Sequence, residues 1–253
     1  GYPAVYDQLL YDKTKRRIRT TGKTPNLESL HFLQSGFDIF EDKIVLGIRA
    51  YRQDVLHILD RNTGDILQTI SHDSLVTIHS PRFSKNGDQI TFSGQHYNGN
   101  SDIYLFTLST NTLVNLTDDI FTDRDPSFAT GGQSILFSSD RDNDLFNQGR
   151  DLYSIDLISN EIRLLMDDDH TKSFPNWDAS TSAIHFLSDK SGMTNIWSLH
   201  ISEKQLTQRT NFHTGISQFR PMNSDSVVAG VFQNYSYQVA ALKLDSIYSI
   251  QWQ

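Results

Sequence analysis

One word recurs in this sequence, and it constrains the fold more than any bulk property does. Proline, any residue, an aromatic, a short turn and then an alternating apolar run appear three times. The copies are Pro81-Arg82-Phe83 before Ile90-Thr91-Phe92-Ser93, Pro126-Ser127-Phe128 before Ile135-Leu136-Phe137-Ser138, and Pro175-Asn176-Trp177 before Ile184-His185-Phe186-Leu187. In each copy the aromatic precedes the isoleucine by seven residues. Each continues with Asp102-Ile103-Tyr104, Asp151-Leu152-Tyr153 or Asn195-Ile196-Trp197, then a closing run at 113–117, 162–166 or 205–207. Short runs of period two, parted by turns such as Asn86-Gly87, Asn98-Gly99, Gly131-Gly132 and Ser191-Gly192, describe antiparallel strands rather than helices.

Weaker copies flank these. Phe37 stands seven residues before Ile44, and Asp54-Val55-Leu56-His57-Ile58 repeats the third strand. Downstream, Phe219 precedes a run at 227–231, with 237–244 as a third strand and 247–252 left for a fourth. The segments 8–11 and 17–20 read as the last two strands of one further unit. Aromatic anchors at 37, 83, 128, 177 and 219 give steps of 46, 45, 49 and 42 residues. Four strands per unit at roughly 40–50 residues is the period of a β-propeller blade. The expected fold is therefore all-β, a propeller of four-stranded antiparallel blades, six in the ring. One domain is expected over 1–253, with blades near 25–70, 71–117, 118–167, 168–210 and 211–253 and a partial blade at 1–24. The first blade would be completed by sequence outside this chain or by pairing with the last blade, so the chain reads as an excerpt of a longer protein.

The pattern Pro-x-aromatic-Ser-x-x-Gly-x-x-Ile-x-Phe-Ser-Ser-Asp-Arg, followed by Asp-Ile-Tyr and Leu-Thr, resembles the TolB-type, WD40-like propeller repeat known as PD40. Residues 73–210 carry the resemblance, although Thr181 stands where the repeat has glycine. The resemblance implies a rigid scaffold, periplasmic or secreted, that binds proteins or small ligands. It also implies that such blades accompany catalytic modules in some peptidases.

Composition narrows the partners. The chain carries 22 Lys+Arg and 30 Asp+Glu, a formal charge of −8. That balance disfavours nucleic acid and anionic membranes, since only Lys13, Lys15, Arg16, Arg17 and Arg19 form a basic cluster. Cysteine is absent, which excludes disulfides and thiolate chemistry. No apolar run reaches the roughly 20 residues of a membrane-spanning helix.

Catalytic templates fail one by one. Gly22-Lys23-Thr24 ends like a phosphate loop, but Arg17 stands where its first glycine belongs. Gly215-Ile216-Ser217-Gln218-Phe219 lacks the second glycine of a nucleophile elbow. No enzyme activity is expected of this chain. The run Asp140, Asp142 and Asp144 offers oxygen ligands of the kind calcium takes, yet it lacks the sharp-turn glycine, and a solvated turn with Arg141 pairing outward fits equally. No other cofactor is expected. The repeated Asp54, Asp102, Asp151 and Asn195 read as structural caps of turns, and Phe83, Phe128 and Trp177 as packing between blades.

Function is expected on one rim, at residues just before the first strand of each blade: His79 and Ser80, Arg124 and Asp125, Lys172 and Ser173, and His213. They differ from blade to blade where the framework repeats, and they would converge on one channel mouth, with Asp140 on the opposite face. Arg124, between Asp123 and Asp125, is the strongest of them, because a guanidinium presents a planar donor fork to a carboxylate. The expected role is a monomeric, non-catalytic scaffold for protein partners in the cell envelope. Two alternatives stay open: the accessory propeller of a larger peptidase or hydrolase, and a small-molecule or glycan binder using the central channel.

Overall fold

A computed structural model describes residues 4–8, 15–20, 29–30, 36–50, 53–141, 149–245 and 248–251. Among them the only helical element is a 3₁₀ turn at Thr130–Gly132; the rest is strand and turn. The chain divides into two compact units, Gly1–Ile120 and Phe121–Gln253.

In the first unit, β1 (Ala4–Gln8) and β2 (Lys15–Thr20) form a two-stranded sheet. The first lies upstream of the 8–11 expected for it. A second sheet contains β3 (Ser29–Leu30), β4 (Phe37–Phe40), β5 (Lys43–Ala50), β6 (Gln53–Asp60) and β7 (Ile66–Ile70), with β3 and β4 both paired to β5. A third is the meander β8 (Leu75–Phe83), β9 (Gln89–His96), β10 (Ser101–Thr107) and β11 (Thr112–Asn115).

The second unit repeats the meander with β12 (Arg124–Phe128), β13 (Ser134–Ser139), β14 (Asp151–Asp156) and β15 (Ile162–Met166). It does so again with β16 (Lys172–Asp178), β17 (Ala183–Ser188), β18 (Asn195–His200) and β19 (Gln205–Gln208). The last sheet holds β20 (Ile216–Asn223), β21 (Ser226–Gln233) and β22 (Ser236–Lys243). Its expected fourth strand, β23 (Tyr248–Gln251), pairs instead with β19, from Gln205↔Gln251 to Gln208↔Tyr248. Leu244 accounts for the detour. Its side chain is buried in the core shared with Leu187 and Ile196, and its carbonyl accepts a 2.9 Å bond from the Arg209 guanidinium just beyond β19.

The core lies between sheets, not within any one of them. Val45, Leu56 and Ile58 meet Leu75, Phe92 and Phe106 in the first unit; Leu136 and Leu152 meet Phe186 and Trp197 in the second. Central strands are therefore covered on both faces: β17 is buried at all six positions, whereas the outer β11 alternates between exposed and half-buried. The aromatic anchors divide. Phe83 and Phe219 are buried and Trp177 packs against a core, but Phe128 is only half-buried and belongs to no core cluster. Besides Phe219, the fully buried phenylalanine rings are those of the Ile-x-Phe triplets, Phe92, Phe137 and Phe186, on the second strand of each meander.

Candidate functional site

The recurring proline marks a break in the first strand of its sheet. Pairing of β8 with β9 jumps from His79 to Arg82, that of β12 with β13 from Arg124 to Ser127, and that of β16 with β17 from Ser173 to Asn176. In each bulge the residue before proline is left-handed: Ser80 at φ 50°, Asp125 at 55° and Phe174 at 51°. Proline is tolerated because it occupies the unpaired position of a bulge in a strand at the sheet edge. A non-glycine residue held at positive φ costs about 1–2 kcal/mol, so the bulge is a specified feature. It re-aims the residues that the sequence marks as the rim.

Each unit uses the bulge differently. In the first, Ser80 is buried, and the half-buried His79 ring lies 3.0 Å from the Thr77 hydroxyl, which donates to Gln95. Below it Arg82 is buried; burial pushes the Asp38 carboxyl up, against the pull of Arg82 and of the Phe83 amide it accepts from.

In the second unit, β12, β16 and β20 are successive neighbours. Arg124, Asp125 and Ser173 are half-buried and His213 is exposed. Lys172 corrects the expectation: it is completely buried. Its ammonium lies 2.7 Å from Asp151 Oδ1 and 2.5 Å from Asp168 Oδ1, and it donates to the Asp168 carbonyl. Burial pushes the Asp151 carboxyl up more than Lys172 lowers it. Burial also acts on Asp168, but bonds from Lys172, Lys190 and the His170 amide outweigh it and hold that carboxyl below its usual value. Asp151 thus ties one sheet to the first strand of the next. Asp54 does the same by accepting the Ile78 amide at 3.3 Å, and Asn195 by accepting that of Phe212 at 2.7 Å. In these three sheets the repeated residue latches one sheet to the start of the next; Asn195 also caps its own turn by donating to the Met193 carbonyl, and Asp102 bonds His96 and Asn115 of its own sheet.

Of the proposed calcium ligands, Asp142 and Asp144 lie outside the described residues. Asp140 accepts the Thr122 amide at 2.7 Å, as Asp189 accepts that of Thr171 at 3.1 Å, which anchors the start of the first strand in both sheets. Asp140 consequently stands at the same end of its sheet as Arg124, not opposite it. Arg141 does not point outward: it pairs with the buried Asp123 and stacks over Phe121 and Phe137, 5.2 and 5.7 Å from their centroids.

Arg124 is shaped by this surrounding. Burial first, then the neighbouring charge of Arg150, holds its guanidinium below the usual value, against the attraction of Asp125 and Asp140. Arg150 escaped the sequence reading. Its signal was available: the residue before the latch is Gln53, Ser101 and Thr194 in the other sheets, and a full charge only here.

These sheets, their succession and the shared bulge define a β-propeller of four-stranded antiparallel blades. No protein-family model and no curated protein matches the chain. Solved structures do, TolB and other β-propeller proteins among them. A protein assigned as TolB from Agrobacterium tumefaciens aligns at a TM-score of 0.71 and 18% identity over 94% of this chain and 83% of its own. TolB from Acinetobacter baumannii aligns at 0.70 and 16%, over 97% of this chain and 58% of its own. A puromycin hydrolase aligns at 0.64 and 13%, over 91% of this chain and only 38% of its own. At these identities the likeness is one of fold.

Proposed function

We propose that this chain is a non-catalytic, TolB-like propeller scaffold that docks a protein partner in the cell envelope through the rim built by its inner-strand bulges. The observation that carries the reading is the bulge itself. It repeats as backbone, yet it presents unlike groups: Arg124 and Asp125 on one strand and Ser173 on the next, with His213 in the turn ahead of the third. A rigid strand end displaying variable polar groups loses little entropy on docking. The reading takes the two-stranded β1–β2 sheet as part of a sixth blade, and it requires no cofactor, no nucleic acid and no second copy of the chain. No helix among the described residues is long and apolar enough to cross a membrane, which accords with a partner-binding domain held in the envelope.

A photo-crosslinking residue at Asp125 or His213, introduced in the native host, is expected to capture one discrete protein. The same residue at Gly132 or Ser159, in turns at the other end of the strands, is expected to capture none. With that partner in hand, Arg124→Ala should weaken binding at least tenfold, about 1.4 kcal/mol. Unchanged affinity, with capture from the Gly132 end, overturns the rim assignment. A second reading, the accessory propeller of a larger hydrolase, is favoured by the puromycin hydrolase likeness, in which a chain of this size matches 38% of the enzyme.

A further inference from the structure

Arg124 and Arg150 differ from the other cations around them in the second unit. Lys172 and Lys190 are matched by Asp151 and Asp168, and Arg141 by Asp123. The two arginines make no side-chain hydrogen bond or ion pair to any described residue; the Nε of each is buried without a partner, as is that of Arg141. Strand register sets them on one face. Arg124 pairs with Ser138, and Ser138 with Leu152. Arg150 directly precedes Asp151, which pairs with Ser139 at the end of the ladder, so continuing the alternation by one residue places it on the side of Ser138. Both arginines thus fall on the side of Ser138, near enough for the charge of Arg150 to act on Arg124. The Ser138 hydroxyl is fully buried and also unpartnered. Two half-buried like charges and a buried hydroxyl without a hydrogen-bond partner among the described residues are costly unless something bonds them.

We propose that Arg124, Arg150 and Ser138 form a binding site for one carboxylate group. The guanidinium fork matches a planar carboxylate through paired N–H donors. Asp125 and Asp140, which flank Arg124 electrostatically, favour a single negative charge over the double charge of a phosphate. The inference rests on the rim reading only for the source of the carboxylate, a side chain or C-terminus of the docked protein.

The test follows the arginine Nε–H resonances of the whole ¹⁵N-labelled chain as acetate replaces chloride at constant ionic strength. The Arg124 and Arg150 signals are expected to shift together and saturate. Arg150→Gln should weaken acetate at least tenfold while leaving the unfolding midpoint in chloride unchanged or higher, because it removes a repulsion. Arg124→Lys, which keeps the charge and loses the fork, should weaken it as well. Shifts that do not saturate, acetate binding unaltered by Arg150→Gln, or a lowered midpoint in chloride would each overturn the site. Tighter saturation by inorganic phosphate than by acetate would overturn the carboxylate assignment. Saturable acetate binding without any crosslinked partner would count against the rim reading alone, and a partner docked at Arg124 with no acetate response against this site alone.

Discussion

Lys172 and Asp151 show how a residue's neighbours change its meaning. The repetition of Asp54, Asp102, Asp151 and Asn195 marks a structural role, and the structure bears that out: Asp102 bonds within its own sheet, whereas the other three reach the start of the following one. Lys172 is the only residue of its kind at its position, with Ile78 and Asp123 in the equivalent places, and variation of that sort imitates a displayed binding residue. Burial decides otherwise. Lys172→Met should cost about 3–5 kcal/mol, because it leaves Asp151 buried without its cation. Asp151→Ala should cost less, about 1.5–3 kcal/mol, since Lys172 keeps both of its contacts to Asp168. Urea midpoints of the two variants check the order, and a Lys172 variant as stable as the wild type would refute the latch. The three-dimensional partner of a charge is not written in the repeat, which is why the periodic aspartate was legible and its lysine was not.

At the scale of the element, the three strong copies of the word translated almost directly into meanders, because turn chemistry and alternation act locally. The proline, by contrast, signalled a bulge that no local rule names, and the route of β23 was set by the burial of Leu244, a tertiary event. Turns also carry packing. Gly87 has φ 71°, and a Cβ there would lie 2.1 Å from the Phe40 ring, which in turn sits 5.9 Å from that of Phe83. Gly132, at the same φ, faces open space. Gly132→Ala should therefore cost only the left-handed penalty of about 1–2 kcal/mol, and Gly87→Ala measurably more. Equal denaturant midpoints for the two would show that the Phe40 contact does not matter.

For the molecule as a whole, acid should weaken the fold in two stages. His185 is buried, its Nδ1 2.6 Å from the Ser198 hydroxyl and its Nε2 3.5 Å from Asp178 without hydrogen-bond geometry. Burial lowers its pKa despite the attraction of Asp178. A neutral buried ring stabilises the fold fully above the usual 6.5, and that stability drains away as pH falls through the depressed folded value. Burial works against Asp178, yet bonds from Thr181 and Ser180 and the charge of His185 bring it down to about 2, so its contribution is present above 3.8 and lost only toward that value. Urea midpoints measured from pH 8 to pH 3 should begin to fall below about 6.5, and His185→Gln should abolish that first decline while sparing the second. A wild-type curve flat down to pH 4 would contradict the buried neutral imidazole. The return of β23 to β19 has a mechanical consequence as well. Because Gln208 is stitched to Tyr248, the whole sheet of β20–β22 is a closed loop hung from its neighbour. A pull on the chain at β23 would be borne first by four rungs loaded in shear, before any force reached the last sheet, so this short strand serves as the seam that keeps that sheet from peeling.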